Sequence, residues 1–449
     1  MLRRRIEKDL TEWFYREERK PLILRGARQV GKTTVIQKFA EKFSQFIYLN
    51  LEKREDREIF SENLPFQKLL EGIFFLKDAD LQEASTLICI DEIQNSPEAI
   101  AYLRFFYEEA PHIPVVCAGS LLEIYIDSYS VSFPVGRVEY LYLFPLDFEE
   151  YLDNLDTTKP LEAYKQVPVY SYAHSMLMEY FHEYSMIGGM PEVCADYLSH
   201  RDVKRLERIY EGLFTSYIDD AAKYSSSPSS YQSLRHVIET SANASGIRIK
   251  FQGFGNSNYR SREIGEALRT LERAMFLYLL YPSTDTGLPA LPDRKKSPRL
   301  QFIDIGLLNY SAGVQGQYIG IDDLNSLHRG KLVEQIVGQE ILAHKAGKLE
   351  KPRFWVREKS GSSAEVDFIY PFEGSLYPIE TKAGKTGTLR SLHEFMEGSQ
   401  LSVAFRLYAG KERTDMVNTR SGKAFTLYSI PYYLAGRIEA FIESISGAD

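Results

Sequence analysis

Eight residues near the N-terminus, Gly26-Ala27-Arg28-Gln29-Val30-Gly31-Lys32-Thr33, have the types and spacing to hold a chain of phosphates. Glycines let backbone N–H groups converge on phosphate oxygens. Lys32 supplies positive charge to the outer phosphates, and the Thr33 hydroxyl can take a Mg²⁺ position, with Thr34 following it. A glycine turn with a lysine at a helix start is the plainer reading of such a string. Context separates the two: this loop leaves an apolar, strand-like run and enters a helical one, as phosphate binding requires. The expected ligands are ATP, or a related nucleoside triphosphate, and Mg²⁺.

A second requirement is an acid at the end of another strand, and Leu87-Ile88-Cys89-Ile90-Asp91-Glu92 supplies two. Asp91 would hold Mg²⁺, and Glu92 would orient or activate the water that attacks the terminal phosphate. Lys32, Asp91 and Glu92 together predict hydrolysis beyond simple binding. Ser120, which follows the run Val115–Ala118 through Gly119, is a candidate sensor of the terminal phosphate. Arg137, after Pro134-Val135-Gly136, is a candidate source of positive charge for the transition state, including in a neighbouring subunit of a homo-oligomer.

The C-terminal third holds a different set. Period-two alternation puts Glu365 and Asp367 on one face of a strand at Ala364–Tyr370, and Glu380 and Lys382 on one face of another. A hairpin through Glu373-Gly374 would bring Asp367, Glu380 and Lys382 together. Two carboxylates that hold a metal beside a lysine are the parts of a Mg²⁺-dependent phosphodiesterase. The simpler alternative is a salt-bridge ladder between two strands.

A third set is basic. Between Gly246 and Leu300 there are ten Lys or Arg against five Asp or Glu, in a chain whose net charge is −8. In the helical pattern Ser261–Leu280, Ile264, Leu268, Leu271 and Met275 share an apolar face and leave Arg262, Arg269 and Arg273 on the other. With the following Arg294-Lys295-Lys296 these could contact DNA as a helix and wing, although a charge run is more often a solvated face.

The elements that must position these residues are legible in outline. Five apolar runs, Pro21–Leu24, Phe46–Leu51, Leu87–Ile90, Val115–Ala118 and Val138–Leu143, alternate with helix-length stretches and predict a largely parallel sheet. Such sheets bind ligands at their carboxyl edge. From Asp147 to about Tyr224 aromatic-rich helical patterns take over, broken at Gly188-Gly189-Met190-Pro191. Ser225–Ser230 reads as a linker. After a helix at Gly330–His344, the chain turns β-rich at Phe354–Val356, Glu365–Tyr370, Leu376–Glu380 and Val403–Tyr408.

The stretch Leu24–Thr34, with Asp91-Glu92-Ile93-Gln94, Ala118-Gly119-Ser120, Gly136-Arg137-Val138 and Phe144-Pro145-Leu146, resembles a prokaryotic family of AAA-type ATPases. Members carry a C-terminal domain of unknown function. The resemblance continues through Gly188–Glu192 and Phe302–Gly306. It implies an α/β multidomain protein with a P-loop AAA-type parallel-sheet core at 1–146 and a helical lid at 147–224. A winged-helix segment at 225–310 and a restriction-endonuclease-like α/β domain at 311–449 would follow. The last resembles the PD-(D/E)XK nucleases, in which Glu334 would take the helical acid position beside Asp367, Glu380 and Lys382.

Composition bounds the rest. At 449 residues, 44% hydrophobic and 26% charged, the chain is an ordinary globular protein and not a disordered one. Glu7, Lys8 and Asp9 stand where a secretory leader needs an apolar run, and the longest apolar stretch, Ala274–Tyr281, is too short for a bilayer. The expectation is a cytoplasmic protein without a membrane partner. Cys89, Cys117 and Cys194 lie far apart and read as buried thiols in a reducing compartment. Three functions fit: an ATPase coupled to nucleic acid, an ATP-gated nuclease, and a nucleotide-dependent switch that binds a protein partner.

Overall fold

The computed structural model describes residues 1–119, 134–225, 227–315, 331–344, 349–359, 362–382 and 389–446. The first third builds a five-stranded sheet from β1 (Leu22–Gly26), β2 (Gln45–Asn50), β3 (Thr86–Asp91), β4 (Val115–Gly119) and β5 (Glu139–Leu143). Its order is β2-β3-β4-β1-β5, and every pair is parallel. Alternation along these strands feeds both faces. Ile23, Ile88, Ile90 and Cys117 pack towards the helices Phe66–Leu76 and Pro97–Glu109, whereas Leu22, Leu24, Cys89 and Ala118 join the larger core on the other side. Coverage on both faces explains why the strands read as almost unbroken apolar runs.

Residues 147–224 form five helices, the longest being Leu206–Tyr224. The break between His174–Ile187 and Pro191–His200 is a close approach of backbones. A Cβ on Gly189 would lie 2.0 Å from the Leu146 carbonyl oxygen, and Gly188 takes φ +68 against the carboxylate of Asp304. Only glycine fits both places. Asp304 accepts from Gly189 N at 2.6 Å and from Leu307 N at 3.0 Å, so it ties this break to the helix Ile305–Ser311 that it caps.

Two local expectations change in the middle segment. The serine run is largely a cap: Ser227 accepts from Ser230 N and starts a helix at Pro228–Thr240. The helix expected at Ser261–Leu280 ends at Arg273; Met275 turns at φ +55 and Leu277–Leu280 becomes β6. An apolar run of this length suits helix or strand equally, and long-range pairing decides it. β6 pairs antiparallel with β8 (Arg299–Phe302), while β7 (Pro282–Ser283), in the connection between them, joins a different sheet.

That sheet has seven strands, β7 with β9 (Arg353–Lys359), β10 (Ser362–Phe372), β11 (Ser375–Lys382), β12 (Val403–Tyr408), β13 (Arg413–Asn418) and β14 (Ala424–Pro431). The order is β13-β14-β12-β11-β10-β9-β7, with β11, β12 and β14 mutually parallel and β10 antiparallel to both of its neighbours. Glu373-Gly374 makes the β10–β11 turn with φ +44 and +76, the two positive values of a two-residue hairpin loop. One hydrophobic cluster runs from Ile6 to Ile442. Across it, Glu340 of the helix Lys331–His344 accepts from Phe148 N at 3.2 Å and Tyr184 Oη at 2.8 Å. No helix among the described residues is long and apolar enough to cross a membrane.

Candidate functional site

The glycine-rich loop sits at the carboxyl end of β1 and opens the helix Lys32–Ala40. Gly31 precedes that helix at φ +91, a conformation that favours glycine. Lys32 is buried and bridges its own loop, with Nζ donating to Gly26 O at 2.9 Å and Ala27 O at 2.8 Å. Burial pulls its ammonium down to about 8, against the opposing fields of Glu92 and Asp91. A cavity of about 530 Å³ lies over the loop, lined by Gln29, Lys32, Thr33, Thr34 and Glu92. Its far wall comes from Met1, Leu2 and the start of the helix Pro191–His200.

The sheet order brings the acids to the loop. β3 and β1 flank β4, so Asp91 at the carboxyl end of β3 meets the residue after Lys32. Thr33 Oγ1 donates to Asp91 Oδ2 at 2.8 Å, and Tyr48 Oη donates to the same oxygen at 2.7 Å. A hydroxyl beside a carboxylate is a donor set that suits Mg²⁺, which takes few protein ligands in phosphate sites. Glu92 is half-buried at φ +52, outside the usual range for a side-chain-bearing residue, and Gln94 donates to its carboxylate. Burial pushes its carboxyl up, the direction that suits a proton acceptor.

Two arginines brace the loop. Arg4, 7% exposed, donates to Val30 O at 3.0 Å and Phe144 O at 2.6 Å and pairs with Glu150 at 3.2 Å. Read only as part of a basic N-terminus, Arg4 gave no local signal of this role. Arg28 pairs with Asp220, which is 1% exposed on the helix Leu206–Tyr224, and so links the loop to the helical segment.

Of the remaining candidates, Ser120 lies outside the described residues. Arg137 is at the wrong edge of the sheet to act within its own chain. It precedes β5, whose Leu143, not its beginning, aligns with Gly26, which places Arg137 roughly 20 Å from the loop at the usual strand rise. There it pairs with Glu108 at 2.8 Å.

The second constellation assembles on β10, β11 and the helix Lys331–His344. Asp367 accepts from Thr381 N at 2.7 Å and Thr381 Oγ1 at 2.8 Å, and Lys382 pairs with Glu380 at 2.6 Å. Burial pushes both Glu334 and Glu380 up to about 8, reinforced by the field of Asp367. The residue that sequence reasoning missed is Arg299 on β8. The residue is 2% exposed, and its guanidinium faces Glu334 at 3.3 Å, pairs with Glu365, donates to Asp367 O at 3.1 Å and lies 4.5 Å from the Phe354 ring. The sequence registered it only as one of ten local positive charges. In this arrangement the carboxylates surround a guanidinium, and no group of three His, Cys, Asp or Glu among the described residues is placed to hold a metal. Glu380 Oε2 is nevertheless buried without a hydrogen-bond partner.

The basic set is divided by the fold. Arg262 pairs with Glu266 at 3.0 Å, Lys296 pairs with Glu358 on β9, and Arg273 is half-buried. Arg269, Arg294 and Lys295 are exposed. Lys296 is therefore committed to the C-terminal sheet, and the connection that carries it is pinned there through β7.

Three family matches divide the chain: residues 18–152 match an AAA domain, and residues 178–318 and 329–433 match two domains of unknown function, DUF8612 and DUF4143. Among solved structures, the Walker-type ATPase PABY2304 of Pyrococcus abyssi is 16% identical, with 70% of this chain and 96% of that chain covered and a TM-score of 0.46. The Aeropyrum pernix ORC2 protein, in ADPNP-ADP complexes, is 10% identical over 70% of this chain and 94% of that one, with a TM-score of 0.34. The Aeropyrum pernix ORC1 protein in complex with DNA is 14% identical over 69% and 90%, with a TM-score of 0.29. At these scores the overlaps carry no argument of their own. No curated protein matches the chain. The AAA match and the loop geometry together identify residues 18–152 as an AAA-type P-loop core.

Proposed function

We propose that this chain is a Mg²⁺-dependent ATPase whose nucleotide cycle is coupled to nucleic acid through residues 225–449. The observation that carries the catalytic part is the convergence of Lys32, the Thr33–Asp91 hydrogen bond and Glu92 on one cavity. Thr33 and Asp91 would hold Mg²⁺, which when bound neutralises charge on the phosphate oxygens. Lys32 gives up its two loop carbonyls to the terminal phosphates, and the backbone N–H groups of the loop fix the chain of phosphates. Glu92 orients the attacking water and accepts its proton. Arg137, remote from its own loop, would supply its charge to the site of a neighbouring subunit.

The helix Ser261–Arg273 followed by the β6–β8 ribbon supports a winged-helix reading of residues 225–310. The helix Lys331–His344 against the β10–β11 hairpin likewise supports a PD-(D/E)XK-like reading of the C-terminal part. ATP hydrolysis should rise on addition of single-stranded DNA, double-stranded DNA or RNA and vanish in Lys32→Ala. No stimulation by any of the three overturns the coupling.

A second reading, an ATP-gated nuclease, is favoured by the unpartnered buried Glu380 Oε2 beside Asp367 and Lys382. It requires Arg299 to leave the carboxylates. Plasmid cutting with Mg²⁺ or Mn²⁺ that is lost in Glu380→Ala supports it, and a wild type that never cuts ends it.

A further inference from the structure

A second cavity of about 550 Å³, slightly larger than the one of about 530 Å³ over the phosphate loop, lies between the helix Ser261–Arg273 and strands β9 and β10 of the C-terminal sheet. It falls within the usual range for a small-ligand site. Its lining carries four Lys or Arg against two Glu. Of the two acids, Glu272 pairs with Lys351 at 2.8 Å and also accepts from Leu279 N at 2.7 Å, and Glu350 is the second. Arg269 and Arg294 are exposed, and neither makes a hydrogen bond or ion pair among the described residues. The half-buried Tyr281 lines the same cavity as these two arginines.

The position of Arg294 is set in advance. The loop that carries it closes with Asp293 N donating to Pro282 O at 2.7 Å, and Pro282–Ser283 pairs with β9. Arg269 is set by the helix whose apolar face, Ile264, Leu268 and Leu271, is wholly buried. Two guanidiniums without ion-pair partners that line one cavity with a tyrosine are suited to a phosphate attached to a base.

We propose that this cleft is a nucleotide-unit site, in which Arg269 and Arg294 grip a phosphate and Tyr281 stacks on the attached base. The proposal rests on the nucleic-acid reading for its natural source, a single strand. The same chemistry could be met by a free mononucleotide.

The test uses the full chain in the Lys32→Ala background, which silences the phosphate loop. A fluorescent 5′-phosphorylated ten-nucleotide single strand and free AMP are titrated against it, with and without Arg269→Gln/Arg294→Gln. The double substitution should weaken strand binding by at least about tenfold and flatten its salt dependence. Thermal unfolding should stay close to that of the parent, because neither arginine has a partner to lose. If AMP alone binds and depends on the arginines, the site stands while its nucleic-acid source falls. Binding of both ligands without arginine dependence, or of neither, overturns the proposal.

Discussion

Replacing Arg299 by methionine is the sharpest structural perturbation available outside the phosphate loop. The side chain is 3% exposed, and its guanidinium meets Glu334 at 3.3 Å, Asp367 at 3.9 Å and Glu365. Methionine keeps much of the packing against Phe354 but leaves the half-buried carboxylates of Glu334, Glu365 and Asp367 facing one another, with Lys382 and Arg248 as cations nearby. Removing one partner of a buried ion pair destabilises by about 3–5 kcal/mol. Loss of the stacked guanidinium adds roughly 0.5–2 kcal/mol. Proton uptake by the carboxylates returns part of this, so the net expectation is about 3 kcal/mol. Urea denaturation followed by tryptophan fluorescence measures it. The loss should shrink when Glu365→Gln is added, since one of the stranded charges is then gone. A loss under about 1 kcal/mol, or strict additivity with Glu365→Gln, refutes the view that Arg299 is the charge partner of this cluster.

Other outcomes follow from the same geometry. Burial holds the Asp304 carboxyl up at about 6, against an ordinary value of 3.8. The folded state then binds more protons than the unfolded one, so this group makes stability fall as pH rises from about 4 to 6, by roughly 3 kcal/mol. Denaturation at pH 4.5 and 7.5 should show that component in the wild type and lose it in Asp304→Asn; an unchanged pH dependence contradicts it. Arg4→Met removes the donor to Val30 O and should raise the apparent KM for ATP several-fold, with stability lowered by about 2–4 kcal/mol as Glu150 loses its ionic partner and keeps only the hydrogen bond from Arg5 N. Unchanged kinetics would mean that the loop does not need this brace. In Glu380→Ala, any metal-dependent cutting should disappear while ATP hydrolysis persists, and joint loss of both would tie Glu380 to the fold instead.

What could be read from the chain was whatever is local. The five strands of the first sheet lie within two residues of their apolar runs, because burial on both faces leaves a continuous signal. The loop, Asp91-Glu92 and the Glu373-Gly374 hairpin are likewise contiguous strings whose geometry is encoded in residue type. Arg4 and Arg299 were not legible, since their partners lie on elements distant in sequence and no spacing rule connects them. The stretch Ala274–Leu280 was ambiguous by nature: pairing with β8 made it a strand, and nothing within it could. The place of Arg137 was deducible in principle. In a parallel sheet, a residue preceding β5 must lie at the amino edge, opposite the loop that follows β1.

The central claim is that residues around Thr33 and Asp91 hydrolyse ATP, and steady-state phosphate release on the full chain with Mg²⁺ tests it most directly. Wild type should turn over, Lys32→Ala should lose both binding and turnover, and Glu92→Gln should keep ATP binding while losing at least about a hundredfold in rate. A Glu92→Gln rate equal to wild type, or a wild type that binds ATP and never releases phosphate, would contradict the account.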